Sequence, residues 1–156
     1  MTRFRRRSLL GLAAAVPLAS AGLLLPRGAG AAPRVFAENG IAVRGTDVVA
    51  YVTEGRPVAG NAAFTHAWGG ATWHFATAAH RDLFAADPDR YAPAYGGFCA
   101  WAVAQGYTAP IDPRAWRIVD GRLFLNYSAS VQRQWERDIP GNIATADANW
   151  PRLAGG

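Results

Sequence analysis

The pair Gly69-Gly70 constrains this chain more than any other feature. It separates two runs, Ala63-Phe64-Thr65-His66-Ala67-Trp68 and Ala71-Thr72-Trp73-His74-Phe75-Ala76, in which large and small side chains alternate. Two glycines supply the positive φ angles of a two-residue hairpin turn. That turn sets a register with Trp68 opposite Ala71, His66 opposite Trp73 and Phe64 opposite Phe75. Alternation then predicts that Phe64, His66, Trp68, Trp73 and Phe75 share one face, with Thr65 and His74 on the other. A second hairpin is predicted at Asp120-Gly121, between Trp116-Arg117-Ile118-Val119 and Arg122-Leu123-Phe124-Leu125.

Between and around the hairpins the pattern changes to helix signals. Val48 to Val52 is an apolar, β-branched run of strand length, and Glu54-Gly55-Arg56-Pro57 turns the chain after it. Thr77 is placed to cap a helix through Ala86. Asp87-Pro88 opens another short one. His80 shares a face with Leu83 and Phe84 by helical spacing. A helix from Phe98 to Gln105 follows Gly96-Gly97 and ends at Gly106. Ser128 or Ser130 caps a closing helix with Val131, Trp135 and Ile139 at four-residue spacing. Pro140-Gly141 interrupts it, and a last helical segment runs towards Trp150-Pro151. Hairpins and helices in mixed order predict an α+β fold: a small mixed domain of two β-hairpins plus a short strand, packed with several short helices.

The N-terminus reads differently. Arg3-Phe4-Arg5-Arg6-Arg7 precedes an apolar run that extends to Leu25, and Ala29-Gly30-Ala31 offers a small-residue cleavage site. Arg6-Arg7, then Ser8-Leu9-Leu10, matches the pattern of a twin-arginine signal. Residues 1–31 are therefore expected to be a cleaved signal peptide, 32–44 a lead-in and 45–152 the domain. Transient engagement of the twin-arginine export machinery and a periplasmic destination follow, with no membrane anchor after cleavage near Ala31/Ala32. The whole chain carries a formal charge of +5, but residues 1–31 hold five of its 16 basic and none of its 11 acidic residues. The remainder is neutral, which removes the electrostatic argument for a nucleic-acid partner. Cys99 is the single cysteine, so no internal disulfide forms.

Several blocks in order carry a family resemblance. They are Gly45-Thr46-Asp47-Val48-Val49-Ala50-Tyr51, then Gly70-Ala71-Thr72-Trp73-His74-Phe75 with Arg81-Asp82-Leu83-Phe84-Ala85-Ala86-Asp87-Pro88. Tyr95-Gly96-Gly97-Phe98-Cys99-Ala100 and Trp116 through Tyr127 follow. Together they resemble the exported, single-domain branch of the YHS domain family, over essentially the whole chain beyond the signal. The resemblance implies a metal-associated module, since related short forms occur beside copper and heavy-metal transport ATPases. Those forms carry a Phe-Cys-x-x-x-Cys signature. The matching positions here are Phe75, Ala76 and His80, so alanine and histidine stand in place of the two cysteines.

The candidate chemistry is correspondingly sparse. The most economical metal site combines His66, His80 and Cys99 as ligands for copper or another transition metal. This makes a non-enzymatic metal-binding module the leading expectation. The alternative is a module for a small organic ligand or a partner protein, with Cys99 buried and inert and some of the six tryptophans lining a groove. A third reading is a thiol enzyme, in which a helix starting near Cys99 lowers the thiol pKa. No Ser-centred nucleophile elbow, phosphate loop or paired-carboxylate motif is present.

Overall fold

A computed structural model describes residues 35–155; the expected signal peptide and cleavage site lie outside them. The fold is α+β, as expected. Its strands are β1 (Ala37–Glu38), β2 (Ile41–Ala42), β3 (Asn61–Trp68), β4 (Ala71–Phe75), β5 (Asp112–Val119) and β6 (Arg122–Asn126). Its helices are α1 (Val48–Thr53), α2 (Ala78–Ala86), α3 (Pro88–Tyr91), α4 (Ala100–Ala104), α5 (Ala129–Trp135) and α6 (Ile139–Gly155). The first four strands form one sheet in the order β1-β2-β4-β3, and β5-β6 forms a second.

Both expected hairpins are present. Gly69 and Gly70 adopt φ of 61° and 80°, and Asp120 and Gly121 adopt 49° and 76°, the left-handed pair that a tight hairpin needs. Trp68 pairs with Ala71 and His66 with Trp73, but a bulge then places Asn61, not Phe64, opposite Phe75. The bulge accompanies a close backbone approach. The Gly60 N–H donates to the Gly45 carbonyl at 2.8 Å, and a Cβ at Gly60 would lie 2.6 Å from the His74 backbone. The face assignment survives the bulge: Trp73 and Phe75 are buried, Phe64, His66 and Trp68 half-buried, and Thr65 exposed.

Three expectations are corrected. Val48–Thr53 is a helix, not a strand, because Asp47 caps it: Oδ1 accepts from the N–H groups of Val49 (3.0 Å) and Ala50 (3.3 Å). All of Val48, Val49, Ala50 and Tyr51 are buried. The lead-in contributes β1 and β2 to the sheet, with Ile41 paired in parallel to Thr72. Pro140-Gly141 starts a helix instead of breaking one. Asp138 Oδ1 accepts the Gly141 N–H at 3.0 Å, and proline near a helix start loses no internal hydrogen bond.

Thr77 and Ser128 cap α2 and α5 as expected, accepting from His80 and Val131 N–H at 3.1 and 3.2 Å. One hydrophobic cluster joins the sheets. Phe84 of α2 lies 5.0 Å from Trp73 and 5.1 Å from Phe75 between ring centroids, and Phe124 lies 5.3 Å from Trp135. Burying rings of this size stabilises the fold by about 1.5–3 kcal/mol each.

Candidate functional site

The three proposed ligands fall into three separate environments. Cys99 is not inside a helix. It is the residue immediately before α4, with its carbonyl accepting from Val103 N–H at 3.0 Å. It is 1% exposed. Its Sγ donates to Asn126 Oδ1 at 3.6 Å and accepts from Tyr127 N–H at 3.3 Å. Burial pushes the thiol pKa up, against the opposing pull of backbone N–H groups at Ala102, Tyr127 and Trp101. A nucleophilic thiol needs the opposite balance.

His80 is bound to a carboxylate. Its Nδ1 lies 2.7 Å from Asp47 Oδ2 and its Nε2 3.4 Å from Thr53 Oγ1. Asp47 is fully buried, and its Oδ2 also accepts from Ala76 N–H at 2.9 Å. One side chain therefore ties the start of α1, the end of β4 and α2 together. His66 instead packs edge-to-face with Phe84, with centroids 6.0 Å apart. His74 lies on the far side of the sheet beside Gly45.

A copper or zinc site needs these donors gathered, with imidazole nitrogen and thiolate sulfur about 2.0–2.3 Å from one point. Among the described residues no three His, Cys, Asp or Glu side chains come together in that way. The one orphaned polar atom near Cys99 is Asn126 Nδ2, a donor, which repels a cation. The side chains present do not fit the metal that the resemblance implies.

A concave site lies elsewhere. A cleft of about 560 Å³ opens between the two hairpin turns, with Gly69 on one rim and Gly121 on the other. Trp68 at the end of β3 and Trp150 of α6 line it, both half-buried. Tyr95 contributes to its lining from a short 3-10 segment, Ala94–Gly97. Tyr95 holds φ at 59°, a left-handed conformation costing a non-glycine residue about 1–2 kcal/mol.

A polar network holds it there. Tyr95 Oη donates to Asp147 Oδ1 at 2.9 Å, and Arg122 grips the same carboxylate through two bonds of 2.8 and 3.0 Å. Desolvation, then the hydrogen bond to Asp147, pushes the Tyr95 phenol well above its ordinary range. Arg122 holds the Asp147 carboxyl below its ordinary value despite partial desolvation.

Sequence reasoning did not find Asp47, Arg90, Tyr95, Arg122 or Asp147. For Asp47 a signal existed, since a helix-capping residue type directly precedes an apolar run. The others meet only in space. No family model matches the chain, and no curated protein or solved structure shows significant similarity to it.

Proposed function

We propose that this protein is a non-enzymatic, exported module resembling the YHS family whose task is to bind a small organic ligand in the cleft between its hairpin turns. The observation that carries this reading is the cleft itself: a concavity of about 560 Å³ walled by two half-buried tryptophans, in the size range of small-molecule sites. The exposed part of each half-buried indole is available for contact with a ligand. The buried, hydrogen-bonded thiol supports the same choice. It argues against both a Cys99 nucleophile and a ligand set of His66, His80 and Cys99. In this reading the twin-arginine machinery delivers the folded domain to the periplasm and residues 1–31 are removed.

The test is an NMR titration of the mature, isotope-labelled protein with a panel of aromatic and aliphatic fragments, beside titrations with Cu and Zn. The reading expects the indole N–H resonances of Trp68 and Trp150 to move together and to saturate, with no stoichiometric metal uptake. Metal bound one-to-one and lost in both Cys99→Ser and His80→Ala, with the two indoles silent to every fragment, would overturn it.

A further inference from the structure

Resting on that reading, we infer that the cleft selects a small planar organic carboxylate, an aryl carboxylate in its simplest form, with the Arg90 guanidinium as its charge partner. Three charged residues, Arg90, Arg122 and Asp89, are among those that line the cleft. The two arginines differ in their commitments. Arg122 spends two of its N–H groups on Asp147, which is not among the lining residues. That pair is built into the wall.

Among the described residues Arg90 is uncommitted: its guanidinium forms no ion pair there. It is also held in place. Its backbone N–H donates to Asp87 Oδ1 at 3.3 Å, and its guanidinium carbon sits 5.5 Å above the centroid of the buried Tyr91 ring. A guanidinium resting on an aromatic face keeps its planar fork of donors for an oxygen pair.

Asp89 alone opposes an anion. It occupies the first turn of α3, directly before Arg90 in the chain. With Arg122 paired to Asp147, Arg90 and Asp89 balance in net charge, and the preference for a carboxylate rests on the unpaired, ring-stacked fork of Arg90. The tryptophan walls favour a flat body attached to it. Gly69 and Gly121, at the two turns, present no side chain to block entry.

Three phenyl probes of similar size separate charge from shape: benzoate, its neutral isostere benzamide, and the cation benzylamine, titrated into the mature protein while the Trp68 and Trp150 indole resonances are followed. Benzoate is expected to bind at least about tenfold more tightly than benzamide, the usual gain from a charge-assisted hydrogen bond. Benzylamine is expected to be the weakest. Arg90→Gln is expected to reduce benzoate to the level of benzamide while leaving benzamide unchanged. Asp89→Asn is expected to tighten benzoate. Equal binding of benzoate and benzamide at the two indoles, or an unaltered benzoate affinity in Arg90→Gln, overturns the carboxylate inference and leaves the cleft reading standing. Preference for benzylamine does the same. Silence of both indoles to all three probes overturns the carboxylate inference, and silence to every fragment of the wider panel overturns the cleft reading as well.

Discussion

Cys99 shows how a single residue's environment decides its chemistry. The thiol is 1% exposed and is hydrogen-bonded on both sides, to Asn126 and to Tyr127 N–H. Burial is the largest influence on its pKa and raises it. A group whose folded pKa lies above its unfolded value stabilises the fold fully below the unfolded value and loses that contribution as pH rises through the folded one. Urea stability is therefore expected to hold from pH 7 towards 9 and to decline above about 9, the ordinary thiol value. In Cys99→Ala the early part of that decline should be missing. Disulfide-exchange reagents should label native protein at least about a hundredfold more slowly than unfolded protein, since only opened molecules expose the sulfur. Complete labelling of folded protein within seconds at pH 7.5 would show that the thiol is not buried.

At the scale of elements, Asp47 decides what α1 is. Five apolar residues, Val48–Val52, read as a strand by propensity. The buried carboxylate overrides that preference by satisfying the first N–H groups of a helix, and Tyr51 then ties α1 to the second sheet with a 2.6 Å bond to the Pro113 carbonyl. Replacing Asp47 with Ala leaves three backbone N–H groups, at Val49, Ala50 and Ala76, and His80 Nδ1 without their acceptor. A loss of about 3 kcal/mol or more in urea unfolding at pH 7 is expected. A loss below about 1 kcal/mol would mean that water or another side chain replaces the carboxylate at little cost. The hairpins were legible because their turns are local: left-handed φ at Gly69-Gly70 and Asp120-Gly121 is a property of two adjacent residues. The bulge that moves Asn61 opposite Phe75 was not legible, because it accompanies the approach of Gly60 to Gly45 and His74 across the sheet.

Over the whole molecule, Asp147 links parts of the fold that are distant in sequence. It joins α6 to Arg122 at the start of β6 and to Tyr95 in the segment before α4. Its carboxyl pKa is lowered, first by the hydrogen bonds from Arg122. A group with a depressed folded pKa contributes stability above its unfolded value and loses it as pH falls through the folded one. The contribution should be intact at neutral pH and should fade below about pH 3.8, the ordinary carboxyl value. Asp147→Asn is expected to unfold with a shallower acid dependence below pH 4, monitored by circular dichroism. The same substitution should loosen Tyr95 and broaden the Trp150 indole resonance, because the two rings pack with centroids 5.9 Å apart. An unchanged acid limb would show that the pair is too well solvated to matter.

The sequence by itself determined the α+β class, both hairpins, the caps at Thr77 and Ser128, and which tryptophan and phenylalanine side chains share the core-facing side of the first hairpin. Each of these is a short-range consequence of φ preference, capping or periodicity, written within a few neighbouring residues. Tertiary structure decided that the capping signal at Asp47 prevails over the strand propensity of Val48–Val52, and that His66, His80 and Cys99 stand in separate surroundings. It also decided that a cleft forms where two hairpin turns meet α6. The physical reason is common to all three. A buried carboxylate, an engaged imidazole and a shared concavity depend on which distant side chains the core brings into contact, and the spacing of residues along one strand or helix does not encode that.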